Sequence, residues 1–398
     1  MITSTLITFA TSRKFPGVDL IIPVSTGHVR FCDWYMAYYV EDLLTTPVFG
    51  PRRPTVNEYF LSSYTLSIYD GCEFGCPYCD GWAYRLRPFN EMVRVALNLP
   101  DRIAEELQSI DRGDLIGITA LSDAYQQVEG TYRLTRQVLR VLADRGQPCL
   151  ILTKSPAVLE DLVLLERIHE QSLAVVMFTL LTIDPYLATK IEDKAPAPQL
   201  RLEAIAELKR AGIPVGVALM PIIPYVNDTT YMLTSTIRAV TKAGADFIVW
   251  DYLSIPNVRH RARIGDMLSR IGNYPPSYYR ELYGEASKGK PSPDPIYLNE
   301  RDREILGFCD AHNLPVRMPH HLFAGRIKPQ NEAALLLKHI AFRDSVQGRV
   351  YMAAHSRKLA ELIYSGQASE SDLRDSPLYL ALRDILIPPS GEIASAQS

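Results

Sequence analysis

Three stretches of this chain share one grammar, and it limits the folds open to them. In LADRGQPCLILTKSP, LKRAGIPVGVALMP and TKAGADFIVWDY an amphipathic run stops at a glycine, and an apolar run starts two or three residues later. A glycine that closes a helix just ahead of a strand is an α-to-β joint, and its repetition means parallel strands linked by crossover helices. Strands are predicted near 65–70 (TLSIYD), 115–120 (LIGITA), 149–153 (CLILT), 173–179 (LAVVMFT), 215–220 (VGVALM) and 246–251 (DFIVWD). Six such units make an α/β fold, a partial (β/α)6 barrel of the TIM-like type. The helix before the third strand has an apolar face of Leu134, Val138, Val141 and Leu142, and Gly146 with Pro148 ends it.

The flanks read differently. Residues 1–60 lack the periodicity, contain the turn-rich TTPVFGPRRPT, and are expected to wrap or cap the core at 61–256. Residues 257–298 include YPPSYYRELYGEASKGKPSPDP and read as a loop or linker. Helical patterns return around 299–313, 331–344, 351–365 and 371–384, so 299–398 reads as a mostly helical region.

The 47% hydrophobic and 22% charged residues are those of a globular protein, and no run approaches the roughly 20 apolar residues that span a bilayer. The N-terminus has no basic leader and no long apolar core, so no membrane partner and a cytoplasmic location are expected. A formal net charge of −3 gives no support to a nucleic-acid partner, which stays open. Residues 251–290 carry seven Lys or Arg against four Asp or Glu, with Arg259, His260, Arg261 and Arg263 bunched; this reads as a solvated helix face.

The stretch GCEFGCPYCDGW holds Cys72, Cys76 and Cys79, half of the six cysteines, on a glycine-bearing loop just after a strand. Barrels of this class put their chemistry at that end of a strand. Thiolates are soft ligands that select zinc or iron–sulfur clusters. Zinc in a structural site takes four protein ligands, and no second C-x2-C or nearby His pair supplies them; His320 and His321 would need a long return of the chain. Three cysteines on a four-iron cluster leave one iron open. Zinc remains the alternative.

The C-x3-C-x2-C loop, with Tyr78 just before its last cysteine, resembles that of radical S-adenosylmethionine (SAM) enzymes. Residues from about 64 to 255 resemble the branch of that superfamily containing spore photoproduct lyase, through YDGCEFGCPYCDGWA, ALSDAYQ, LILTKSP, VVMFTLLT and KIEDKAPAPQLRLEAIAELKRAGIPVGVALMPIIP. The resemblance implies a [4Fe-4S] cluster on Cys72, Cys76 and Cys79 whose open iron chelates SAM. It implies reductive cleavage to a 5′-deoxyadenosyl radical that takes hydrogen from a substrate, and an external one-electron reductant such as flavodoxin or ferredoxin.

It also implies SAM contacts: Tyr78 beside adenine, Ser122 and Asp123 for the amino group and ribose, Lys154 for the carboxylate, and Thr179 with Thr182 for ribose or carboxylate. From the residues alone, Ser122 and Asp123 also read as a helix cap, Thr179 and Thr182 as β-branched strand residues, and Tyr78 as packing. Glu192 and Arg201 read as a structural ion pair, and Asn227 in PIIPYVND as a polar contact or cap. One departure matters. Where the lyase carries a hydrogen-donating cysteine two residues before the matching serine, this chain has Ala120.

Cys149 starts a strand at the opposite end and reads as a core thiol, and Cys309 is unplaced. Tyr125, Tyr225, Tyr252, Tyr274, Tyr278, Tyr279 and Tyr283 fall on mouth loops or the linker and read as packing residues. The expected function is a radical SAM enzyme, lyase or oxidoreductase, acting on an unidentified substrate, with loops 221–230 and 253–298 shaping specificity. Two alternatives stand: lyase-like DNA repair, and a non-catalytic iron–sulfur or zinc protein.

Overall fold

The computed structural model describes residues 29–31, 37–85, 89–118, 121–272, 276–284 and 291–387. Ten strands follow in chain order: β1 (Val29–Phe31), β2 (Tyr38–Asp42), β3 (Tyr64–Thr65), β4 (Tyr69–Asp70), β5 (Met92–Ala96), β6 (Ile116–Ile118), β7 (Cys149–Thr153), β8 (Ala174–Thr179), β9 (Val215–Ile222) and β10 (Phe247–Tyr252). Six of them form one sheet in the order β10-β9-β8-β7-β6-β3, parallel at every pairing. The sheet curls into a half-barrel, the partial TIM-like architecture that the repeated joints predict.

Alternation along the strands sorts the core into two faces. Ile151, Val176, Phe178, Val217, Leu219 and Ile248 pack outward against crossover-helix residues such as Leu139, Leu142, Ile168, Leu208 and Ile237. Leu150, Val175, Met177, Ala218, Phe247 and Val249 pack inward with Leu335, Leu337, Leu359 and Ile363. These last four lie on the helices Pro329–Val346 and Val350–Ser365, so C-terminal helices fill the hollow of the half-barrel. The joints behave as read: Gly146 and Gly244 close the helices Leu134–Arg145 and Thr230–Ala243 in the left-handed conformation.

Two expectations are corrected. The strand predicted at 65–70 is two strands in two sheets. Tyr64–Thr65 pairs with β6, and Leu66 N–H still donates to Gly117 O (2.8 Å). Ser67 then turns its hydroxyl onto Tyr69 O (2.7 Å), and Tyr69–Asp70 pairs antiparallel with β5. β5 belongs to a second sheet, β1-β2-β5-β4, which draws two strands from the N-terminal segment. Val93 and Val95 are buried and Arg94 exposed, a half-buried alternation too short to stand out in MVRVA.

The segment 257–298, read as a loop or linker, is largely helical: Val258–Ile271, Pro276–Tyr283 and the start of Pro295–Ala311. The Asn257 side chain accepts from His260 N–H (2.9 Å) to start the first of these. Its face of His260, Ile264, Met267 and Leu268 recurs at helical spacing and is buried, so the basic run is the outer side of a docked helix. Cys32, Ala120 and Tyr274 lie outside the described residues. Among the described residues, no helix is long and apolar enough to cross a membrane.

Candidate active site

The change of sheet brings the cysteine loop to the barrel mouth. Gly71 follows β4 with φ 121°, and a Cβ there would stand 2.2 Å from Met92 O, so only glycine lets the chain turn this closely against β5. Cys72 N–H donates to Phe89 O (2.9 Å), Gly75 N–H to Cys72 O (3.2 Å) and Cys79 N–H to Cys76 O (3.1 Å). From the segment after β6, Gln126 donates to Gly71 O (2.9 Å) and accepts from Glu73 N–H (2.7 Å). Glu73 accepts from the Tyr39 hydroxyl (2.7 Å) and from Val128 N–H (2.8 Å). Sequence reasoning assigned neither residue: Gln126 lies within ALSDAYQ, but no spacing rule shows that it reaches back 55 positions.

Cys72, Cys76 and Cys79 are free thiols, the first two buried and the third partly exposed. They pack with Phe74, Phe89, Leu181, Ile223 and Ile255. Burial pushes the Cys72 and Cys76 thiols up to about 12 and Cys79 up to about 11. Such thiols stay protonated at neutral pH until a metal displaces the protons, which is how thiolate sites load. Among the described residues, no three His, Cys, Asp or Glu side chains are gathered as around a single metal ion. Three soft donors on one loop, with no disulfide, fit an iron–sulfur cluster, in which each thiolate takes its own iron.

A charged network lies beside the loop. Arg201 and Glu192 are buried and pair at 2.7 Å, the structural ion pair expected from sequence. The Tyr78 hydroxyl donates to Glu192, and Lys154 Nζ lies 3.9 Å from the same carboxylate. Burial pushes the Glu192 carboxyl up, but Arg201 and Lys154 outweigh it and hold the group below its usual range. Burial likewise opposes the charge on Lys154, and its neighbours Cys76 and the Glu192 carboxylate hold that ammonium above its usual value.

The other candidates also come to the strand ends. Asp123 is buried with both oxygens engaged: Oδ1 accepts from the Thr153 hydroxyl (2.7 Å) and Tyr125 N–H (2.9 Å), and Oδ2 from Lys154 N–H (2.7 Å). It ties the end of β6 to the end of β7. The Ser122 hydroxyl donates to Tyr69 O (2.5 Å), just before the cysteine loop. Thr179 ends β8, and its carbonyl accepts from Arg201 (2.8 Å). Thr182 accepts from Asp184 N–H (3.0 Å) in a local turn.

Asn227 joins two loops by donating to Leu181 O (3.1 Å), whereas the cap of the following helix is Thr229. Tyr125, Tyr279 and Tyr283 are buried, with hydroxyls on Asp161, Pro224 O and Leu253 O. Tyr225 and Tyr278 are exposed, with ring centroids 5.1 Å apart. Cys149 and Cys309 are buried core thiols.

A parallel half-barrel with three free thiols on the loop after β4, brought to its mouth by the change of sheet, defines the class. Residues 66–234 match the family model described as the Radical SAM superfamily. These residues form a radical SAM domain, and the chain is similar there to enzymes of the radical SAM type.

It is similar to an uncharacterised protein of Mycobacterium tuberculosis, 29% identical over 251 residues, covering 56% of this chain and 72% of the relative. It is also similar to an uncharacterised protein of Methanocaldococcus jannaschii, 28% identical over 255 residues, covering 62% and 90%. Among solved structures, spore photoproduct lyase complexed with dinucleoside spore photoproduct superposes with a TM-score of 0.55 at 14% identity, over 70% of this chain and 81% of the lyase. At that identity the likeness is one of fold.

Proposed function

We propose that Cys72, Cys76 and Cys79 hold a [4Fe-4S] cluster with one open iron, and that the enzyme uses it on SAM to start a radical reaction on a substrate in the barrel mouth. When bound, the cluster and SAM supply the chemistry: one electron cleaves SAM to methionine and a 5′-deoxyadenosyl radical, which abstracts hydrogen from the substrate. The carrying observation is the three free, largely buried thiols on the loop after β4, inside the superfamily domain.

The chain's own residues hold and screen. Lys154, with its ammonium held charged at the end of β7, would hold the SAM carboxylate, and Thr179 at the end of β8 would bond its ribose or carboxylate. Tyr78, Ser122 and Asp123 line the SAM site mainly by fixing its walls: their side chains bond Glu192, Tyr69 O and the end of β7. Leu181, Ile223 and Ile255 exclude water around the thiols.

Photoproduct repair, the activity in the name of the fold neighbour, is not adopted, because Ala120 occupies the position of the expected hydrogen-donating cysteine. Anaerobic reconstitution with iron and sulfide, then dithionite and SAM, tests the proposal: about four irons per chain and release of 5′-deoxyadenosine are expected. Iron uptake without 5′-deoxyadenosine would leave a non-catalytic iron–sulfur protein.

A further inference from the structure

At the end of β10, neighbouring side chains take opposite faces. Trp250 Nε1–H and the Tyr252 hydroxyl both donate to Oδ1 of Asp302, at 2.7 and 2.6 Å, and Asp302 lies on the helix Pro295–Ala311, which packs on the outer side of the sheet. Asp251, between them, therefore points the other way, to the side where Val249 packs inward. The pairing slips at this point: Trp250 stands opposite Leu219 and Tyr252 opposite Ile222, so Met220 and Pro221 together face Asp251 alone. Such a bulge re-aims a side chain at a barrel rim.

Asp251 has no counter-ion. Among the described residues its carboxylate makes one hydrogen bond, from the adjacent Tyr252 N–H (2.8 Å), and no ion pair. The charge of Arg317 reaches it, but that guanidinium donates to Glu58 (3.3 Å) and lies 4.4 Å over the Tyr59 ring and 3.9 Å over the Phe342 ring. Solvent reaches Asp251, yet burial pushes its carboxyl above the ordinary range, as on the wall of a recess. Two groups place that recess beside the cysteine loop. Asp80, directly after Cys79, and the Tyr59 hydroxyl are both pushed up by burial and by the charge on Asp251. Thr179 and Lys154 stand at the same mouth on β8 and just past β7, two and three strands from β10.

We propose that Asp251, with the Tyr59 hydroxyl beside it, holds a protonated amine of the substrate on the β10 side of the mouth, across from SAM. This rests on the SAM placement proposed above and adds a class of substrate to it. An unpaired carboxylate held in a recess is costly, and an entering ammonium offsets that cost with a charge-assisted hydrogen bond. A carboxylate or phosphate is the poorer fit, because it would meet Asp251, Asp80 and Glu58 against Arg317 alone.

The test uses the reconstituted full chain and two small probes of one shape: n-butylamine, protonated at about pH 7.5, and neutral n-butanol. The unpaired electron of the dithionite-reduced cluster speeds the proton relaxation of molecules held near it, so the readout is local to the mouth. In wild type the amine should relax about tenfold or more faster than the alcohol, and in Asp251→Asn the two should relax alike. Asp302→Asn, on the opposite face of the same strand end, should keep the wild-type preference. A preference that survives in Asp251→Asn, or that both variants lose equally, overturns the proposal. Added 5′-deoxyadenosine and methionine, which together fill the SAM site, should leave the amine in place; if they displace it, Asp251 belongs to the SAM site and the proposal falls. Failure of the cluster reading shows earlier and separately, as a chain that takes up no iron before any probe is added.

Discussion

Two buried ionic networks sit at opposite ends of the half-barrel and do different work. At the mouth, Glu192 collects Arg201, Lys154 and the Tyr78 hydroxyl beside the thiols. At the closed end, Asp114, just before β6, accepts from Arg52 (3.1 Å) and from Asn331 (2.7 Å), joining the N-terminal segment to the helix Pro329–Val346. The mouth network leaves an ammonium held charged beside the site, whereas the closed-end network joins its partners entirely to one another. In this fold, charge at the C-terminal ends of strands belongs to chemistry and charge at the N-terminal ends to stability.

The largest effect should come from Cys76→Ala. Iron uptake and 5′-deoxyadenosine release both fall to background, while circular dichroism of the iron-free chain stays that of the wild type. Next come Glu192→Gln and Asp114→Ala, each of which strands a buried or half-buried arginine and should cost about 3 kcal/mol in urea unfolding. They separate in catalysis: the folded fraction of Asp114→Ala should cleave SAM at the wild-type rate, and that of Glu192→Gln should not. Equal losses in both would erase the distinction between the two ends.

A smaller effect is expected of Lys154→Met. It removes one charge-assisted contact and should weaken SAM binding by about tenfold to a hundredfold, read by equilibrium dialysis, with little change in thermal midpoint.

The smallest belongs to His339, whose Nε2 lies 3.1 Å from Glu58 O. Burial, with Arg317 nearby, holds its ring down to about 3. Because the unfolded chain takes up the proton first, stability is full above about pH 6.5 and declines as pH falls from there towards 3. The urea midpoint should drop over that window in wild type and drop less in His339→Gln. Identical pH slopes would remove His339 from the account.

The inner strands were legible because β7 to β10 are apolar runs entered through short, strongly signalled joints, and Gly146 and Gly244 mark those joints locally. The split of TLSIYD was not, since what breaks it is β5, a partner more than twenty residues away with a five-residue pattern. The helix Val258–Ile271 was half legible: its basic side dominates the eye, while His260, Ile264, Met267 and Leu268 carry the apolar face that docks it. In the site, the cysteines declare themselves by spacing. Gln126 and Glu73 do not, because their contribution is hydrogen bonds across the fold, and a sequence records such a partner only as one more polar residue.

The change of sheet between Thr65 and Tyr69 also bears on where this enzyme can be cut. The family boundary at residue 66 leaves out β2, and with it the Tyr39 hydroxyl that holds Glu73 beneath the cysteine loop. A fragment trimmed to that boundary keeps all three cysteines and loses one wall of their cradle. The cysteine loop is therefore not a portable cassette: its scaffold is shared between two sheets, and one of them begins outside the domain that gives the family its name.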